Sequence, residues 1–562
     1  MSFDIKPYEI GAALLHWLAV MGACGIVALF VGMVVALLTQ GTRGPRLVLD
    51  TLRRGVIDLT QLSARRIVAL ARLSVKEALN RKALYVLFVL AFLFGAANLF
   101  LRTPSADLPA KPYVSFVLTV IGWILIPVAL LLSCWGLPAD IKDRSLHTVV
   151  TKPVRRSEIV VGRILGYGLV TTLVLAIVAP AGYVWIIREV PQASQSQLTS
   201  RRPIYSTKFD FIDRDGKPGQ HGVNTGDIWM FREFVEGQTK ARAVWEFTGL
   251  DVATLAKQDQ LRFEYRMESF RTFKGNIDEG VRFRLTLVNE AKKLRVPFPQ
   301  SGAGLEIQEF AAERKSSRQV SEEKLPVVTI PRTLDVRPGS GVDAATVDLF
   351  SDLIHDGQLK VEVSCEDAQQ FVGAAHPDLF IRLPDAPFWV GYCKNVLTLW
   401  LMVLLVIMIG TSASCFLKGP VATLLTFGLV ILGQPMRAYM EEQLQQFFND
   451  ETKGEVLGGG ALESLYRMVT QMNQMSPLPD NAATGFIKWC DTWIFNGLGI
   501  VQNVIPDFTH YDTSVYVANG FDVPWSDAGP AILPSLLTTL GFFIPCVILG
   551  YYSLQLRELE AK

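Results

Sequence analysis

The stretch Pro138–Arg163, PADIKDRSLHTVVTKPVRRSEIVVGR, decides how the rest of the chain is read. Long apolar runs flank it, Tyr113–Leu137 before and Ile164–Ile187 after, and neither holds a charged residue. Within the stretch six cations (Lys142, Arg144, Lys152, Arg155, Arg156, Arg163) face three acids (Asp140, Asp143, Glu158). A short basic loop between two apolar helices belongs on the cytoplasmic side of a membrane by the positive-inside rule. Its internal order is an acidic turn, a short apolar-periodic piece (Leu146, Val149, Val150) and Thr-Lys-Pro-Val-Arg-Arg. A new helix then starts at Ser157, whose hydroxyl suits an N-cap.

Working outward, half of the 562 residues are hydrophobic and they are clustered, which places the chain among membrane proteins of several modules. A net charge of +1, segregated by loop, gives no polyanion footprint, so nucleic acid is not expected as a partner. Seven scattered cysteines form neither a disulfide framework nor a zinc pattern.

Seven spans are expected: Gly11–Thr39, Leu84–Leu101, Tyr113–Leu137, Ile164–Ile187, Asn395–Leu417, Gly419–Met436 and Gly529–Leu554. Segment 1–40 is a retained membrane helix, because its basic flank follows the apolar run rather than preceding it. The N-terminus is then outside. Segment 41–83 is cytoplasmic, since residues 40–83 carry ten Lys/Arg against three acids. Within it Ala64–Lys82 reads as an amphipathic helix with Ala64, Ile67, Val68, Ala71, Val75, Ala78 and Leu79 on one side and basic residues on the other. Leu70 and Leu73 fall off that stripe. Such a helix suits the inner-leaflet surface of the lipid bilayer.

Segment 84–187 holds spans two to four, with the basic loop 138–163 between the last two. Segment 388 and below, back to 188, changes character: short runs such as Arg242–Phe247, Leu261–Met267, Val281–Leu287 and Leu359–Val363 alternate polar and apolar residues. Period-two runs separated by turns (Asp213–Gly219, Arg337–Gly341) predict antiparallel strands, hence an extracytoplasmic β-sandwich over 188–388 inserted between spans. Segment 389–436 holds spans five and six, split by the turn Lys418-Gly419-Pro420. Segment 437–528 is outside again, with amphipathic helices near Leu462–Met475 and Ile487–Ile505, the second bearing Trp489 and Trp493. Segment 529–562 is the last span and a cytoplasmic tail. The fold class is thus a multi-pass α-helical membrane protein with an inserted extracytoplasmic β domain, N-terminus outside and C-terminus inside.

The order of features in the basic loop resembles the coupling loop of ABC-2-type transporter permeases. There an acid, a small-hydroxyl–Leu pair and a Lys-Pro-x-x-Arg-type turn precede the third core helix. Asp140 or Asp143, Ser145–Leu146 and Pro153–Arg155–Arg156 fill those places, with Arg144 beside them. The ending Ile505-Pro-Asp-Phe, Gly520-Phe-Asp-Val and a final span with Arg-Glu-Leu is similar too. The resemblance covers roughly residues 62–187 and 389–562, and neither the first helix nor the inserted domain. It implies a six-span core in the cell membrane, a second permease copy or homologue, and a separate cytoplasmic ABC ATPase that binds ATP and Mg and docks on this loop.

The chain carries no phosphate-cradling Gly-x-x-x-x-Gly-Lys-Ser/Thr and no Gly-x-Ser-x-Gly, so it is expected to be no enzyme and to hold no cofactor itself. Six dispersed histidines argue against a histidine metal site, and Asp213, Asp215 and Gly216 read as a turn rather than a calcium loop. The expected spans contain no Asp, Glu, Lys or Arg, unlike ion-coupled transporters; Thr171, Thr172, Ser412 and Ser414 are their polar side chains of note. A second reading is a membrane-anchored binding or sensor protein whose β domain recognises a glycan or envelope protein through Trp229, Trp245 and Phe270.

Overall fold

The computed structural model describes residues 7–80, 110–142, 154–190, 192, 195 and 198–560, the last stretch apart from 220, 224–231, 256–258, 273–279, 301–303, 308–325, 337–344, 449–458, 474–475, 477 and 480. In chain order the helices are α1 (Ile10–Gln40), α2 (Gly44–Thr60), α3 (Ala64–Asn80), α4 (Lys111–Lys142) and α5 (Arg156–Glu189). After the β domain come α6 (Phe388–Phe416), α7 (Gly419–Gly433), α8 (Pro435–Phe448), α9 (Ala461–Thr470), α10 (Ala482–Val504) and α11 (Ile532–Glu560). Among the described residues α1, α4, α5, α6 and α11 are each long and apolar enough to cross a membrane, so the protein is membrane-embedded. The expected span Leu84–Leu101 lies outside the described residues.

The expected sixth span is not straight. Helices α7 and α8 meet at 47°. Pro435 supplies no N–H, and Gln434 before it is distorted to φ −116° and ψ −78° while staying in the right-handed region. The Gly433 carbonyl at the break instead accepts the Phe508 N–H at 2.9 Å. The chain then stays helical to Phe448, beyond the expected end of the span at Met436.

Side chains of α4, α5, α6 and α11 share one apolar core, with Ile121, Val174, Val406 and Val547 among its members. Helix α6 is its centre: 72% of its most apolar window is buried, against 0% for α1. Three of the hydroxyls noted in these helices, on Thr171, Thr172 and Ser414, are occupied locally. Thr171 and Thr172 bond carbonyls one turn back in α5, Ser414 bonds the Thr411 carbonyl at 2.7 Å, and Thr172 also accepts the Trp400 indole at 2.8 Å.

The strands appear where the alternation predicts them. Val281–Asn289 alternates buried and open positions, and Arg242–Phe247 pairs antiparallel with Leu359–Cys365. These belong to a seven-stranded sheet. A four-stranded antiparallel sheet has the order Thr199–Tyr205, Leu379–Pro387, Gln260–Tyr265, Val327–Pro331. Trp245, Phe247 and Phe283 from the first sheet and Phe263 and Ile381 from the second enter one core, so the two sheets stack as a sandwich. Residues Asp213–Lys217 form the expected turn, where Gly216, at φ +83°, donates to the Asp213 carbonyl. The other expected turn, at 337–341, lies outside the described residues.

The insertion is joined to the bundle without slack on one side. The strand Leu379–Pro387 passes into α6 at Phe388 with no residue between. Its partner is the first strand of the domain, from Thr199↔Pro387 to Tyr205↔Phe380, so both crossings lie side by side.

Candidate functional site

The basic loop is shorter than its composition suggests. Helix α4 runs through Pro138 to Lys142 and takes Asp140 into its last turn. Helix α5 begins at Arg156 with Arg155 as N-cap, so the expected cap at Ser157 is corrected. The reason is Glu158, whose Oε2 accepts the Arg155 N–H at 3.1 Å and fills the capping role. The Ser157 hydroxyl instead donates to the Asp58 carbonyl at 3.0 Å. Asp143, Arg144, Ser145, Leu146 and Pro153 lie outside the described residues.

Glu158 is fully buried, and its other oxygen joins α5 to the corner between α2 and α3. Oε1 accepts the Ser63 N–H and the Arg66 guanidinium, both at 2.9 Å. Arg155 reaches the same corner from above, donating to the Ile57 carbonyl at 3.1 Å and to Gln61 at 2.6 Å. Asp58 accepts the Tyr551 hydroxyl at 2.9 Å, which brings in the end of α11. One turn further along α5, Arg163 bonds Glu77 at 2.7 Å and the Tyr167 hydroxyl at 2.9 Å. A carboxylate with three donors fixes its partners directionally.

Close packing supports these bonds. A Cβ at Gly162 would lie 2.6 Å from the Leu70 Cβ, and one at Gly166 would lie 2.8 Å from the Ala71 carbonyl oxygen. Two glycines four residues apart therefore let α3 lie directly on α5, as small residues do between helices in membranes. The packed face of α3 is Ile67, Leu70, Ala71, Ser74, Val75 and Ala78. The expected stripe is thus rotated: Leu70 is in the contact, while Val68 and Leu79 are exposed.

A second ionic seat joins the β domain to the segment before α11 and to the start of α6. The Arg201 backbone exchanges hydrogen bonds with the Gly520 carbonyl (2.9 Å) and the Asp522 N–H (2.7 Å). Its guanidinium donates to the Asn519 carbonyl and stands 4.3 Å over the Phe521 ring. It also faces buried Glu264 at 3.3 Å, which accepts Arg382 at 2.5 Å on its other oxygen. Lys394 of α6 bonds Asp522 at 2.8 Å.

Two of the three aromatics expected as a recognition platform, Trp245 and Phe270, lie in different sheets. Trp245 is wholly buried in the sandwich and donates to the His376 carbonyl at 3.1 Å, while Trp229 lies outside the described residues. Phe270 is 40% exposed and sits edge-on to Phe234 and Phe371. Among the described residues no group of His, Cys, Asp and Glu could hold a metal ion.

Sequence reading singled out Arg155 and Arg156, which stand at the start of α5, half-buried beside the seat. It counted Glu158 only as a loop acid and missed Ser63, Asp58, Arg201 and Glu264. The Gly162–Gly166 spacing was the available signal for close helix contact. No protein-family model, curated protein or solved structure matches this chain.

Proposed function

We propose that this chain is the permease subunit of an ABC-2-type transporter in the cell membrane. In this reading it has seven spans, the N-terminus outside, the β domain extracytoplasmic and the 138–163 loop cytoplasmic. A separate ABC ATPase binds ATP and Mg and docks on the loop through Asp140, Asp143, Arg144, Ser145, Leu146, Pro153, Arg155 and Arg156. A second permease copy or homologue completes the passage, which serves export or work on the cell envelope.

The observation that carries the proposal is the Glu158 seat. A loop that only sets topology needs no anchorage, whereas a loop that transmits movement must end on something stiff. Here the loop ends where α5 is bonded to α2, α3 and, through Asp58, to α11. A push on the loop therefore reaches three helices together, as rigid-body switching requires. The mixed-charge flanks of the loop would set docking register more than affinity.

Leu146→Asp tests it. Burying an unpaired carboxylate in an ATPase groove is costly. Pull-down from detergent-solubilised native membrane should recover an ABC ATPase with the parent chain and lose it, by tenfold or more, with the variant. Equal recovery at matched expression rejects Leu146 as a docking contact. A parent chain that never brings down an ATPase favours the second reading, a membrane-anchored extracytoplasmic binding protein. The exposed Phe270, with the half-buried Phe371 beside it, supports that alternative as an aromatic face for a glycan or envelope protein.

A further inference from the structure

Helices α2 and α3 present the same surface twice. In α2 the packed side is Val48, Leu52, Gly55 and Leu59; in α3 it is Ile67, Ala71, Ser74 and Ala78. At 3.6 residues per turn, the side chains next around α2 are Leu49 and Val56, and those next around α3 are Val68 and Leu79. All four are apolar and exposed, at 56%, 60%, 64% and 43%. Beyond that strip comes a cationic rim, Arg46 and Arg53 on α2 and Arg65, Arg72 and Lys76 on α3, every one exposed. Among the described residues none of these five cations is ion-paired. The acids on the same helices are largely spent: Asp58 faces Tyr551 and Arg155, and Glu77 faces Arg163, which leaves Asp50.

The depth of this surface is set by α1. Only Gly41–Arg43 separate α1 from α2. At Gly44 a Cβ would lie 2.3 Å from the Ala36 carbonyl oxygen, so α2 turns back tightly against the end of α1. An apolar helix of 31 residues ends at the membrane boundary, and α2 is held at that boundary. An apolar strip flanked by snorkelling cations is the surface of a helix lying in the headgroup region, with favour for anionic lipid.

We infer that the α2–α3 corner binds the anionic face of the bilayer and, through Glu158, ties the start of α5 to the lipid beneath it. The inference rests on the membrane-embedded helices and stands whether or not an ATPase docks on the loop. Each basic residue near an anionic leaflet strengthens binding by roughly fivefold. Removing the three on α3 should therefore weaken binding around Val68 about a hundredfold, enough to erase the headgroup preference that a label there reads.

The test uses the full chain in nanodiscs, with Cys24, Cys393 and Cys490 replaced by serine and a bimane label on Val68→Cys. Quenching is compared between brominated phosphatidylglycerol in plain phosphatidylcholine and brominated phosphatidylcholine in plain phosphatidylglycerol, at equal mole fractions of brominated lipid. The expected result is at least threefold stronger quenching by the phosphatidylglycerol, lost in high salt and in the triple variant R65Q/R72Q/K76Q. The salt arm uses the unaltered rim, so it holds even if the triple variant folds poorly. Equal quenching by the two lipids overturns the headgroup preference, and no quenching by either overturns contact with the bilayer.

Discussion

Two ionic seats, one at the start of α5 and one between the β domain and α6, are fastened by opposite chemistry. At the start of α5 a buried acid, Glu158, collects donors from its own N-cap, from the Ser63 backbone and from Arg66. Under the β domain a base, Arg201, hands donors to backbone carbonyls and to the acid Glu264. The first seat is convergent: one carboxylate gathers its own N-cap, the Ser63 backbone and Arg66, and losing it removes all three of those bonds at once. The second is divergent, with backbone bonds that survive loss of any one charge. One substitution thus removes the carboxylate on which the first seat converges, whereas the second keeps its backbone bonds after any one charge is lost.

The largest expected effect is at the β-domain seat. Glu264→Ala removes a fully buried carboxylate from between Arg201 and Arg382, at a cost of about 3 kcal/mol because Arg382 keeps Asp385. Thermal unfolding of the purified chain should shift down. Because the Gly520 and Asp522 backbone bonds remain, limited proteolysis should leave the 519–522 segment protected. Cleavage there would break the claim that this seat is redundant.

Glu158→Ala comes next, at roughly 2–3 kcal/mol, lower because its Arg66 partner is partly open to solvent that screens the pair. Here the local consequence should exceed the global one. The Thr60–Ala64 turn should become protease-sensitive in the variant while the 519–522 segment stays unchanged. Protection of the turn would show that helix packing, rather than the carboxylate, holds the corner.

The smallest effect concerns Asp527, beside the second seat, where burial holds the carboxyl above its ordinary value. A raised folded-state value means that the stabilising contribution is full below the unfolded-state value and is lost as pH rises through the folded one. Asp527→Asn should therefore match the parent at acid pH and exceed it slightly at neutral pH in thermal unfolding. A variant less stable than the parent at neutral pH would mean that the charge is needed there.

Much of this architecture was legible in the sequence, for a physical reason. Apolar run length and period-two alternation report burial, and they located the long helices and the strands of the sandwich. Helix α2 was missed because Gly55 and scattered arginines read as loop composition. In the fold Gly55 is where the ring of Tyr552 lies against the backbone, with room for no Cβ. The true face of α3 was misjudged by about one helical position, since periodicity cannot distinguish lipid-facing from protein-facing apolar residues. Glu158 could not have been singled out: its partner Ser63 lies 95 residues away in sequence.

The seamless passage from the strand Leu379–Pro387 into α6 makes the β domain a pointer. With no joint at Phe388, the domain has no orientation of its own and inherits that of the most enclosed helix of the bundle. The nine-residue strand gives the pointer a length of roughly 30 Å, so a tilt of about 10° at α6 would carry its far end by about 5 Å. Displacements too small to see in a close-packed core would be legible at the tip of the sandwich, where a pair of spectroscopic labels could read them.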